Sequence, residues 1–154
     1  MTASWGSTHV ARLHRLTDAL DLDGFVTLDE HGGWLGYASY EIAERHLEIV
    51  VLESPASGRG AGSALIANCV AVALERGLDR VWLITTNDNL HALRFYQRRG
   101  FVLADLHRDN VTWSRQNLKP ELPEIGLEDI PIRDELELEI PRAAWTDFVA
   151  RYGV

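Results

Sequence analysis

A single cysteine, Cys69, stands in the 154 residues, so no internal disulfide is available to staple the fold. It sits in an apolar stretch with helical spacing and reads as a small buried hydrophobe, with a catalytic thiol the weaker reading. No apolar run approaches the roughly 20 residues that a bilayer-spanning helix needs. The opening Met-Thr-Ala-Ser-Trp-Gly has neither the basic nor the apolar region of a signal peptide. The cytoplasm is therefore the expected compartment. Basic residues are scarce as well: 15 Lys and Arg stand against 23 Asp and Glu, a formal net charge of −8. A surface of that sign repels phosphate backbones and anionic lipids, which argues against nucleic acid and membrane as partners and favours cationic molecules such as amines. No residue pattern implies a metal.

The chain does have enough apolar residues for a core. A hydrophobic share of 46% and a charged share of 25% are ordinary for a folded soluble protein, and the length suits one domain spanning residues 1–154. Short apolar stretches at 8–13 and 24–28 read as strands separated by turn material. His31-Gly32-Gly33 is a turn, and the strand after it runs over 34–41. Over 45–53, Leu47, Ile49 and Val51 alternate with Glu48, then the pattern becomes apolar on both faces, as in a central strand.

Leu65, Ile66, Cys69, Val70 and Ala73 fall at helical spacing up to Gly77. A strand over 81–85 follows, then Asn87-Asp88-Asn89 as turn and N-cap, then a second helix ending at Arg99-Gly100. Residues 101–106 and 135–140 read as strands, the last with Leu136, Leu138 and Ile140 on one face and glutamates on a wet one. This order predicts an α/β, or α+β, fold with a mixed, partly parallel sheet flanked by helices.

A glycine-rich turn opens the first helix: Ser57-Gly58-Arg59-Gly60-Ala61-Gly62. Unpaired N–H groups and the positive end of the helix dipole bind phosphate at such a turn. Arg59 adds a charged contact, and Ser63 places a hydroxyl at the helix start. The glycine spacing is not that of Gly-x-Gly-x-x-Gly, and no Gly-Lys-Ser/Thr follows, so dinucleotide and nucleoside-triphosphate readings lose ground. The second motif is Asn89, Ala92 and Tyr96 followed by Gly100-Phe101.

Together the two motifs, in this order and separation, resemble the GNAT superfamily of acyl-CoA-dependent N-acyltransferases. Ser57 departs from the Gln or Arg usual at the first motif's opening position. The resemblance implies a central sheet of about seven strands flanked by helices. It implies acetyl-CoA as co-substrate, with the pyrophosphate on Gly58, Arg59, Gly60, Ala61, Gly62 and Ser63. The pantetheine arm would run beside Val51, Leu52 and Glu53 and contact Asn89 and Ala92, and Arg98 would reach a cofactor phosphate. The thioester would lie in the splay between residues 51–53 and the strand over 81–85.

The implied reaction is direct attack by a primary amine of a small molecule or protein on the thioester. An alkylamine holds its proton up to about pH 10, so a base is needed at neutral pH, and the departing sulfur needs an acid. Tyr96 is the candidate acid. Glu53 is the first candidate base and Glu48 the second, with His46 and His91 behind them. A non-catalytic acyl-CoA sensor or interaction domain of the same fold is the rival reading.

Two segments complete the expectation. The long connection over 109–134 carries Glu121, Glu124, Glu128, Asp129 and Asp134 among prolines and reads as an acceptor-side wall. The tail over 141–154 sets Trp145, Phe148, Val149 and Tyr152 on one helical face, which packs on its own domain or forms a homodimer contact. Monomer and homodimer both stay open.

Overall fold

Alternating apolar residues build the strand that anchors the first half of the fold. The computed structural model describes residues 8–54 and 60–153, and the chain divides into two compact units: 21–82 with 140–154, and residues up to 20 with 83–139.

In the first unit, β3 (Asp23–Leu28), β4 (Trp34–Ala43) and β5 (His46–Glu53) form an antiparallel meander. Leu47, Ile49 and Val51 are buried, and so is Glu48, as expected for a strand covered on both faces. The β3–β4 turn is tied by Asp29, whose Oδ1 accepts hydrogen bonds from the amides of His31 at 2.8 Å and Gly33 at 2.7 Å. Helix α1 (Ala61–Glu75) buries Leu65, Ile66, Cys69, Val70 and Ala73, the row read from the sequence. It lies close on β4 because Gly36 has no side chain: a Cβ there would stand 2.9 Å from Leu65 Cδ1 and 2.8 Å from the Glu53 carbonyl oxygen.

The C-terminal helix α4 (Trp145–Tyr152) packs on α1. Trp145 is fully buried, and its indole Nε1 donates to the Ile140 carbonyl at 2.9 Å. Phe148 is buried and Tyr152 packs against it, with ring centroids 4.7 Å apart and planes tilted by 49°. The aromatic face is thus packed within its own unit.

The second unit starts with a separate hairpin, β1 (His9–Arg12) and β2 (Arg15–Asp18), closed by Leu13 and His14 in the left-handed region. Then come α2 (Leu90–Arg98), β7 (Val102–His107), α3 (Asn110–Asn117) and β8 (Glu135–Glu139), with β7 and β8 antiparallel. The strand β6 (Arg80–Thr86) carries the chain from one unit into the other. Strand order in the large sheet is β3-β4-β5-β6-β8-β7, so the described residues form six strands plus the two-stranded hairpin, where about seven in one sheet were expected.

Three expectations need correcting. Strand β2, Arg-Leu-Thr-Asp, was read as turn material because four mostly polar residues carry no period. Helix α3 lies inside the connection over 109–134, and its Asn, Val, Thr and Ser are weak helix formers that hid it. The face of β8 expected to be wet is not wholly so. Glu135 is 2% exposed and accepts from the Leu13 amide at 2.9 Å and from Asn110 Nδ2 at 3.0 Å.

These contacts generate a stability prediction. Trp145→Ala removes the largest fully buried side chain and leaves the Ile140 carbonyl without its donor. It is expected to cost about 3–5 kcal/mol, read as a lower midpoint in urea unfolding. A loss below 1 kcal/mol would mean that α4 contributes little to the core.

Candidate active site

The N-terminus of α1 and the end of β5 both belong to the first unit. Gly60 is the N-cap of α1, with φ 72° and ψ 5°, and its carbonyl accepts from the Ala64 amide at 3.0 Å. The left-handed backbone is what glycine tolerates there. No side chain caps the helix and no acid stands in its first turn, so the amides that open α1 carry no built-in anion. Ala61 and Ser63 are buried and Gly62 packs among them, while Gly60 is exposed. Ser57, Gly58 and Arg59, the other half of the expected phosphate turn, lie outside the described residues.

On β5, Val51 is buried and Leu52 half-buried. Glu53 closes the strand at 7% exposure, and neither of its carboxylate oxygens has a hydrogen-bond partner among the described residues. Glu48, also buried, stands opposite Glu41, five residues back along β5 and so roughly 16 Å from Glu53. His46 begins the same strand, farther still. If Glu53 marks the reacting end, Glu48 and His46 are out of reach.

The second motif lies in the second unit. Asn89 is the N-cap of α2, its Oδ1 accepting from the Ala92 amide at 3.1 Å. That cap uses the side-chain oxygen as its acceptor. Tyr96 is half-buried, with its ring 5.4 Å from that of Phe101 and edge-on to Phe95 at 5.5 Å. Burial pushes its phenol well above the ordinary tyrosine value. Ala92 is half-buried, whereas His91 and Arg98 are exposed on the helix surface. Burial likewise raises the Cys69 thiol to about 12, which makes it inert packing.

Sequence reasoning read the turn that introduces α2 but missed the distant partners that hold it. Asn87 Nδ2 donates to the Pro131 carbonyl at 2.9 Å, and its Oδ1 accepts from the amides of Arg133 and Asp134, both at 2.9 Å. Asp88 is buried and accepts from Thr86 Oγ1 at 2.5 Å and from the Leu127 amide at 3.0 Å. These bonds hold a small hairpin in which Ile125 bridges Pro131 and the tip residues Glu128 and Asp129 have φ of 54° and 59°. The only local signal was the Asn-Asp-Asn run, which announced a turn but not its distant partners.

The acidic wall expected over 109–134 is corrected at its inner end. Asp134 is buried and paired with Arg133 at 3.0 Å, and it also accepts from the Asp109 amide at 2.8 Å. The Arg133 hydrogen bonds hold its carboxyl below the usual carboxylate value. Asp134 and the neighbouring Glu135 therefore serve the fold, while Glu121, Glu124, Glu128 and Asp129 are exposed.

The sequence model of the Acetyltransferase (GNAT) family matches residues 2–101. The chain belongs to the GNAT acetyltransferase family. Acetyl-CoA is accordingly its co-substrate. Among relatives, the uncharacterized protein YxbD of Bacillus subtilis is 38% identical over 134 residues, covering 87% of this chain and 84% of its own length. Streptothricin acetyltransferase of Streptomyces lavendulae is 35% identical over 86 residues, 53% of this chain and 46% of its own. The crystal structure of nourseothricin acetyltransferase shares the fold, with a TM-score of 0.62 and 24% identity over 82% of this chain and 71% of that one. No helix among the described residues is long and apolar enough to cross a membrane.

The open surroundings of Gly60 make the phosphate turn testable, because no atom lies within 4 Å of where a Cβ would stand. Gly60→Ala is expected to cost about 1 kcal/mol of backbone strain and to bind acetyl-CoA nearly as the parent does. Gly60→Asp adds a carboxylate beside the α1 amides and is expected to bind at least about tenfold more weakly than the alanine variant. Calorimetric titration decides: equal affinities in the two variants would remove Gly60 from the cofactor contact.

Proposed function

We propose that this acetyltransferase moves the acetyl group of acetyl-CoA to a primary amine by direct attack, with Glu53 as base and Tyr96 as acid. The observation that carries the reading is the buried carboxylate of Glu53, left without a partner among the described residues at the end of β5. A buried carboxylate ordinarily finds donors, so one without any is suited to receive a proton-bearing ligand. The incoming ammonium passes one proton to Glu53. Its nitrogen then bonds to the thioester carbon, the carbon–sulfur bond breaks as the sulfur takes a proton from the Tyr96 hydroxyl, and the second proton shed by the acylated nitrogen returns Tyr96 to its neutral form.

Burial keeps the Tyr96 phenol protonated throughout the neutral range, the state in which an acid must stand before it donates. Val51 and Leu52 offer backbone to the pantetheine, and the α1 amides from Ala61 to Ser63 offer donors to the pyrophosphate. Gly58, Arg59 and Arg98 complete the cofactor set on the strength of the family motif. The net charge of −8 favours an acceptor with positive charge. Relatives named for streptothricin and nourseothricin acetylation support a small-molecule amine as the acceptor class.

A panel of amines assayed with acetyl-CoA for released thiol tests the activity directly. Turnover with any of them separates the enzyme from a cofactor sensor, and binding of acetyl-CoA without turnover across the panel would favour the sensor. In the active pair, Glu53→Gln is expected to lower kcat by about 10²-fold or more with acetyl-CoA affinity unchanged. An unaltered kcat would remove Glu53 from the proton path.

Tyr96→Phe should lower kcat by a similar factor, about 10²-fold. The same variant carries a titration signature. Because the folded value is raised, the stability that this phenol contributes is complete below the free tyrosine value, about 10, and is lost as the pH climbs through the folded value. Ultraviolet titration should therefore lose its latest phenolate phase in Tyr96→Phe. Retention of that phase would assign it to another tyrosine.

A further inference from the structure

Among the described residues, buried side-chain polar atoms without a hydrogen-bond partner occur at three positions, Ser39, Glu53 and Ser114. Two of the three share one strand pair and one face. In the antiparallel register of β4 and β5, Tyr37 stands opposite Glu53, Ala38 opposite Leu52 and Ser39 opposite Val51. Opposed residues project to the same side of a sheet, as do alternate residues along a strand. Tyr37, Ser39, Val51 and Glu53 therefore lie on one face. Gly36, one residue away, turns the other face to α1, with its Cβ position 2.9 Å from Leu65 Cδ1.

Ser39 is diagonal to Glu53, a relation that separates the two residues by about 7–8 Å and their Cβ atoms by somewhat less. That span suits a serine oxygen, one nitrogen and a glutamate oxygen in hydrogen-bonded sequence, each contact about 2.8 Å. Ser39 is fully buried and offers a hydroxyl acceptor, while Glu53 offers two carboxylate acceptors. A primary ammonium brings three N–H donors and so matches this acceptor set, which no group of the described protein satisfies. Tyr37, half-exposed across from Glu53, adds an aromatic ring to the same face, and aromatic faces attract cations.

We propose that Ser39 is an acceptor-binding residue, its hydroxyl joining Glu53 in holding the primary ammonium of the substrate, with Tyr37 beside it as an aromatic wall. The inference rests on the amine-acetylating reading of the site and adds what recognises the acceptor. It also accounts for an unpaired hydroxyl at a buried position, which costs stability unless a ligand uses it.

The test combines stability and kinetics, with benzylamine, lysine and spermidine as probes. Ser39→Ala is expected to melt at the same temperature as the parent or higher, because an unpaired buried hydroxyl has been removed. Its KM for the probe amine should rise about tenfold, and its KM for acetyl-CoA should not move. A lowered melting temperature would make the hydroxyl a structural partner, and an unchanged amine KM would remove it from recognition. Either result overturns the proposal. Glu53→Gln keeps the two readings apart: an unchanged kcat there sinks the base assignment and leaves the Ser39 readout standing. If no probe is turned over, melts in benzylamine replace kinetics. A stabilising shift in the parent that Ser39→Ala loses supports the site, and no shift in the parent overturns it.

Discussion

The first unit depends on how closely α1 lies against β4 and β5. Gly36 makes that approach possible, since any Cβ there would meet both Leu65 and the carbonyl of Glu53. The consequence reaches both parts of the site in this unit. The helix N-terminus at Gly60 and the strand end at Glu53 are fixed by the same packed surface, so the proposed cofactor turn and the proposed base share one foundation. Burial of Leu65, Ile66, Cys69, Val70 and Ala73 contributes of order 1.5–3 kcal/mol for each larger side chain. Apolar packing therefore sets where the helix N-terminus and the proposed base stand.

What was legible in the sequence follows from what is local. The periods of β5 and α1 were readable because each residue's burial repeats at fixed spacing. The Asn89 cap was readable because its partner, Ala92, is three residues on. By contrast, the partners of Asn87 and Asp88 lie about forty residues away in a hairpin of no marked pattern, and a period carries no information about them. Ser39 was invisible for a related reason: a lone serine in an apolar strand says nothing of which strand will stand beside it. Helix α3 failed on propensity, because its weak helix formers are held by tertiary contacts such as the stacking of His14 on Trp113 at 3.8 Å.

Charge gave the least reliable guidance. Composition alone treats all 23 acids as a surface field, yet Glu48, Glu53, Asp88, Asp134 and Glu135 are buried. In the second unit several of them act as internal ties: Glu135 joins the β1–β2 turn and α3, and Asp88 holds the hairpin that Asn87 also grips. Buried cations do similar work there. Arg12 donates to Thr17 Oγ1 at 2.6 Å, and Lys119 Nζ donates to the His9 carbonyl at 2.8 Å. Such groups are tolerated inside only because each has partners. The exposed acidic field is thus made of fewer charges than the composition suggests.

The tip of the hairpin held by Asp88 has a consequence for engineering. Glu128 and Asp129 both occupy the left-handed region, and both are exposed. Each such L residue costs about 1–2 kcal/mol relative to a relaxed backbone, whereas Asn-Gly adopts the same two-residue turn with little strain. The hairpin is already bolted at its base by side-chain bonds, so relaxing its tip would not alter its position. Two solvent-facing substitutions at this tip are therefore a route to a more heat-resistant protein.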